Sequence, residues 1–192
     1  MNRVSTMERC MALPFFTIGH SNRSLADFIA LLHENEVGLV ADVRAFPRSR
    51  TNPSFNDDVL PASLAAEGIA YRHLAELGGR RRKSETVPVE TNGYWTHQSF
   101  HNYADYALTH VFQVGLETLI GLGREQRCAA MCSEAVWWRC HRRIVTDYLL
   151  ARGETVLHIL GPGHVEAAEL TERARPHADG TVTYPPAGDL FA

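Results

Sequence analysis

No apolar run in this 192-residue chain approaches the roughly 18 consecutive residues that a membrane-spanning helix needs. The amino-terminal stretch MNRVSTMERCMALPFF also lacks the continuous apolar segment of a secretory signal. Together these absences set the expectation of a soluble, cytoplasmic protein with no membrane partner. An excess of one charge is missing too: 19 Lys and Arg stand against 22 Asp and Glu, a formal charge of -3. Nucleic acid or an anionic surface would feel no general attraction, so any anionic partner must be held by a local cluster of cations. Cysteine is scarce. Of Cys10, Cys128, Cys132 and Cys140, the last three fall within one short stretch, which is no secreted disulfide framework and in a reducing compartment suggests free thiols or a metal.

What is present suits one globular domain, with 45% hydrophobic and 21% charged residues. Residues 1–14 are expected to be a flexible leader, and 15–192 a single domain. Phe15 to Gly19 is a short apolar strand. Ser24 and Asp27 then form a capping box for a helix whose Leu25, Phe28, Ile29 and Leu32 share one face. Gly38 precedes a second strand on which Asp42 and Arg44 emerge on the same side by the period of two. After a Pro-punctuated loop come a helix near 58–67 and a third strand over 69–74. A loop at about 78–99 opens with Arg80, Arg81, Arg82 and Lys83. The spacing predicts one long helix over 100–122, a fourth strand ending at Cys132, a helix stopped by Gly153, and a fifth strand over 155–160. A short helix near 165–175 and an edge strand over 181–184 complete the expectation.

This alternation predicts an α/β fold: a single three-layer domain with a mainly parallel five-stranded sheet and helices on both faces. Ligands of such sheets bind beyond the carboxyl ends of the strands. Those ends carry His20, then Asp42 and Arg44, then His73 and Glu76, then Cys132 and Glu134, then His158.

The densest of these stretches is CAAMCSEAVWWRCHRR, Cys128 to Arg143. Cys132 reads equally well as a small core hydrophobe and as a reactive thiol, and it becomes a nucleophile only if nearby cations depress its pKa. A helix amino end is partly positive, yet here it carries His141, Arg142 and Arg143. Those cations call for a negative partner, either an internal carboxylate or a bound phosphate or carboxylate. The thiol-to-helix order resembles the phosphate cradles of rhodaneses and cysteine phosphatases, but the loop SEAVWW has no glycine for close backbone approach. Cys132, Cys140, His141 and Glu134 offer metal ligands, although Cys-x7-Cys-His is not a standard zinc spacing, so no metal is assigned.

Several motifs in fixed order carry a resemblance. Thr17 to Arg23 (TIGHSNR), Asp42-Val43-Arg44 with Pro47, Ser49 and Arg50, Tyr71, His73, Leu77-Gly78-Gly79, and Cys132, Glu134 and Cys140-His141-Arg142 resemble the bacterial family called domain of unknown function 488. The resemblance implies a compact α/β domain and points to His20, Ser21, Asp42, Arg44, Cys132, Glu134, Cys140, His141 and Arg142 as its site. It supplies no substrate.

The leading expectation is an enzyme acting on a phosphorylated or nucleotide-like anionic ligand. Arg44 and Arg142, with Ser21 and Cys140, would bind it, Glu134 or Asp42 would act as acid or base, and His20 or His141 would move a proton. One alternative is a non-catalytic nucleic-acid-binding or regulatory module using the Arg80 to Lys83 flap with Tyr94 and Trp95 as stacking partners. Another is a thiol or metal site. No residue pattern specifies a cofactor or an oligomeric state.

Overall fold

The computed structural model describes residues 13–188. Cys10 and residues 1–12 of the expected leader lie outside the described residues, as do residues 189–192. Strand β1 (Phe15–Gly19) leads to helix α1 (Leu25–Glu34), followed by β2 (Leu39–Asp42), α2 (Leu60–Ala66) and β3 (Ala70–His73). Helices α3 (Gln98–Ala107) and α4 (His110–Glu125) precede β4 (Cys128–Cys132), α5 (Arg142–Ala151) and β5 (Val156–Gly161). Three short strands close the described chain: β6 (His164–Ala167), β7 (Arg175–Pro176) and β8 (Val182–Thr183).

The main sheet runs in the order β3-β2-β4-β1-β5-β6, with β1 to β5 parallel and β6 antiparallel on the open edge of β5. The period of two sorts its side chains between two helical layers. Phe16, Ile18, Val40, Ala129 and Met131 pack with Phe28, Leu31 and Leu32 of α1 and Leu60 and Leu64 of α2. Phe15, Leu39, Ala41, Cys128, Ala130 and Cys132 face the other way, against residues of α3, α4 and α5. The result is a three-layer α/β domain. Among the described residues no helix is long and apolar enough to cross a membrane.

Four expectations are corrected. The sheet has six strands, because the start of the segment expected as a helix near 165–175 pairs instead with β5, as His164–Ala167. Gly161, Pro162 and Gly163 supply the turn, with Gly163 at φ +63°, and the unpaired edge of β5 outweighs the helical preference of its alanines and glutamates. The single helix expected over 100–122 is two, because the Thr109 hydroxyl accepts from the Phe112 N–H and starts α4 afresh. The loop expected at about 78–99 follows a short 3-10 turn at Ala75–Leu77, contains another at Val89–Asn92 and gives way to α3 at Gln98. Where an edge strand was expected over 181–184, Val182–Thr183 pairs only with Arg175–Pro176.

Candidate functional site

The chain leaving β1 turns to α1 and the chain leaving its neighbour β4 turns to α5, on opposite faces of the sheet. Such a divergence opens a crevice at the carboxyl edge. Here it is a cleft of about 670 Å³, lined by His20, Ser21, Arg44, Phe46, Arg48, Gly79, Arg80, Tyr103, Cys132, Glu134, Arg139, Cys140 and His141, among others. The two loops are bound backbone to backbone, His20 N–H to Cys132 O (3.0 Å) and Ser21 N–H to Ser133 O (2.9 Å). Ser21 sits at φ +47°, a left-handed conformation that costs a non-glycine residue about 1 kcal/mol. Its carbonyl is held by the side chains of His20 and Asn52.

On one side of the cleft floor lies a closed polar network. Asp42 accepts from Arg44 Nε (2.8 Å), Arg44 Nη2 (2.5 Å), the Arg44 backbone N–H (3.1 Å) and the Tyr71 hydroxyl (2.7 Å). Burial and the Asp42 charge push the Tyr71 pKa up, which keeps it a donor. Arg44 Nη2 also donates to Phe55 O and Nη1 reaches His20 Nε2, leaving one N–H of five for the cleft. His20 donates from Nδ1 to Ser21 O, so its Nε2 is the acceptor for Arg44. Burial, then the Arg44 charge, hold this imidazole neutral, with its pKa lowered to about 4, and its ring stacks on Phe55. Asp42 therefore has no lone pair aimed at the cleft, and His20 has its basic nitrogen occupied. Neither is placed to transfer a proton.

The other side of the floor is a sulfur–imidazole cluster. His141 donates from Nε2 to Val43 O (2.8 Å), which turns Nδ1 towards Cys140 Sγ (3.7 Å) and Cys132 Sγ (4.0 Å). All three donor atoms lie within 4.8 Å of one another. The Tyr103 ring packs 4.9 Å from the imidazole, and a Cβ on Gly79 would stand 2.8 Å from Nδ1. The two thiols are driven apart in acidity. The hydrogen bond with Cys140, then burial, pushes Cys132 up to about 12. Burial also raises Cys140, but the Cys132 hydrogen bond and the charge and hydrogen bonds of Arg142 outweigh it and bring Cys140 down to about 6. The condition set for Cys132 as nucleophile is thus unmet, and the acidic thiol is its neighbour.

Arg142 does not line the cleft. It is 1% exposed, with Nε on Cys140 Sγ (3.4 Å) and Nη2 on the Glu134 carbonyl. Arg143 is likewise spent internally, on the Thr171 hydroxyl and over the Trp95 ring. The cations at the start of α5 are satisfied inside the fold by carbonyl, hydroxyl, sulfur and aromatic acceptors, not by the internal carboxylate that the sequence called for.

The mouth carries the groups that remain free. Arg48 is paired with Asp57 and Asp58, whereas Arg80 and Arg139 have no acidic partner among the described residues. Glu134 is the one carboxylate in the lining, exposed and likewise without an ion pair among the described residues. Phe46 stands beside them, 70% exposed. Of the basic run, Arg81 is pinned to Gly78 O and Ala75 O and stacks on Tyr106. Trp95 is buried against Phe100 and Tyr184, so it offers no face to a nucleobase.

Sequence reading thus missed Arg80 as a lining residue separable from its run, and it did not place Arg139, Phe46, Tyr103 or Gly79 at the cleft. Nothing in local spacing marks them. His73 donates from Nε2 to Arg44 O, and His158 lies inside β5, stacked on Trp137 and hydrogen-bonded to Thr17, so neither stands at the cleft.

A protein-family model described as "Domain of unknown function DUF488" matches residues 24–149. The matched stretch holds Asp42, Arg44 and the whole of Cys132 to Arg142 and stops short of His20 and Ser21. No curated protein and no solved structure matches the chain.

Proposed function

The chain belongs to the domain of unknown function 488 family, a membership that assigns no activity, and from the chemistry of the cleft we propose an enzyme acting on a phosphorylated or nucleotide-like anion. One observation carries the reading: four arginines, Arg44, Arg48, Arg80 and Arg139, line a cleft that contains a single carboxylate, Glu134. A cavity with low-dielectric walls concentrates such a field, and an anion would neutralise the two arginines that lack partners. Arg80 and Arg139 hold the charged group, the remaining N–H of Arg44 orients it from below, and Phe46 supports an apolar or planar portion. Glu134 is the acid or base, because it alone among the carboxylates of the site is not already consumed by hydrogen bonds. The sulfur–imidazole cluster forms the reactive floor.

A thermal-shift screen of nucleotides and phosphorylated sugars tests this. Several anions should stabilise the wild type and Arg82→Ala, and the stabilisation should vanish in Arg80→Ala/Arg139→Ala. Equal stabilisation of the double variant, or none of the wild type, would remove the anion site.

A further inference from the structure

We infer that Cys132 Sγ, Cys140 Sγ and His141 Nδ1 form a three-ligand site for one thiophilic divalent cation of the zinc type, with its fourth position open to the cleft. The inference stands apart from the anion reading and would survive its failure.

Geometry is the first support. With Zn–S of about 2.3 Å and Zn–N of about 2.0–2.1 Å, a tetrahedron has S···N edges of roughly 3.5 Å and an S···S edge of roughly 3.8 Å. The observed Sγ···Nδ1 separations are 3.7 Å to Cys140 and 4.0 Å to Cys132, and no pair of donor atoms exceeds 4.8 Å. Side-chain shifts of no more than about 1 Å close the site.

The surroundings of the ligands are the second support. A metal-binding imidazole characteristically gives its other N–H to a carbonyl or carboxylate, which sets tautomer and direction. His141 does this at Val43 O, 2.8 Å away. Gly79 leaves free the space beside Nδ1 that any side chain would enter. Arg142, almost wholly buried, donates to Cys140 Sγ, the kind of N–H···S contact that shields a bound thiolate.

Accessibility decides the type of site. All three ligand residues line the cleft, and no fourth His, Cys, Asp or Glu joins the cluster among the described residues. Three protein ligands with a solvent-facing fourth position are the catalytic arrangement, in contrast to closed four-ligand structural sites. Two thiolates, a divalent ion and Arg142 sum to one positive charge, which suits an anionic or hydroxide fourth ligand. Binding displaces the thiol protons to solvent and changes no oxidation state. The spacing hid this, because the ligands come from the end of β4 and the start of α5, brought together across the 3-10 turn Trp137–Arg139.

The test is cobalt and zinc titration of the full chain after chelator stripping and dialysis, without any added anion. One equivalent of Co²⁺ should give a thiolate-to-cobalt charge-transfer band with tetrahedral visible absorption. Cys132→Ser, Cys140→Ser and His141→Ala should each lose or weaken it at least about ten-fold, while Cys10→Ala and Cys128→Ala leave it intact. In the wild type, Zn²⁺ should protect Cys132 and Cys140, mapped by mass spectrometry, from alkylation, so the outcome does not depend on whether the serine variants fold. Absence of the band, its persistence in Cys132→Ser, or alkylation rates unchanged by Zn²⁺ would overturn the site. A thermal shift with anions on the stripped protein reads the anion proposal separately.

Discussion

Arg44 and Asp42 close on each other at the end of β2 as a bidentate ion pair, with side chains 6% and 0% exposed. Removing one partner leaves the other charged, buried and unsolvated. Asp42→Asn should therefore cost about 3–5 kcal/mol in urea unfolding, and Asp42→Leu/Arg44→Met less than the single change. A cost below about 1 kcal/mol for Asp42→Asn would mean that the pair is not a structural clamp.

Gly19 passes so close to the next loop that a Cβ there would lie 1.9 Å from the Glu134 carbonyl oxygen. Backbone on both sides prevents relief by a rotamer change. Gly19→Ala should lose at least about 3 kcal/mol and disturb the loop that Arg142 also supports. Unchanged thermal stability would show that the two loops can separate freely.

Two buried groups should give opposite pH slopes. Burial, aided by the Arg142 charge, lowers His158 from 6.5 to about 4. The unfolded chain takes up that proton near pH 6.5 and the folded one only near 4. Stability is full above 6.5 and declines as pH falls towards 4, by on the order of 2–3 kcal/mol. Burial raises Asp147 from 3.8 to about 6, against the hydrogen bonds from Thr171 and Tyr184. Its folded form binds a proton that the unfolded chain has released, so stability declines as pH rises from about 4 to 6. His158→Asn, which keeps a partner for Thr17, should flatten the acid loss, and Asp147→Asn should steepen it. Denaturant midpoints between pH 4 and 7 read both.

Glu134→Gln separates binding from chemistry. Removing the one carboxylate among four arginines should tighten an anion by about 1 kcal/mol, roughly five-fold, at low salt, with the gain shrinking as salt rises. Turnover of any substrate the screen finds should fall even so. Weaker binding would make Glu134 a ligand contact and not the acid or base.

Much of the fold was legible because it rests on local rules. The capping box at Ser24, the period of two that sends Val40 and Ala41 to opposite layers, and the stop at Gly153 each act over a few residues. Where the reading failed, a non-local partner decided. Residues 164–167 carry helix formers but lie beside the open edge of β5, and the apolar spacing of 100–122 runs through a break that only the Thr109 cap reveals.

The site divides in the same way. The sequence by itself determined which strand ends carry chemistry, because the order of alternating strands and helices delivers His20, Asp42, Arg44, Cys132 and Glu134 to one edge of the sheet. Only the tertiary structure decided what each is free to do. Hydrogen bonds across the floor consume Asp42, His20 and Arg142, while the two thiols and the Nδ1 of His141 are left facing one another. A lone pair has one direction, and only the three-dimensional arrangement of its neighbours determines whether it is already taken.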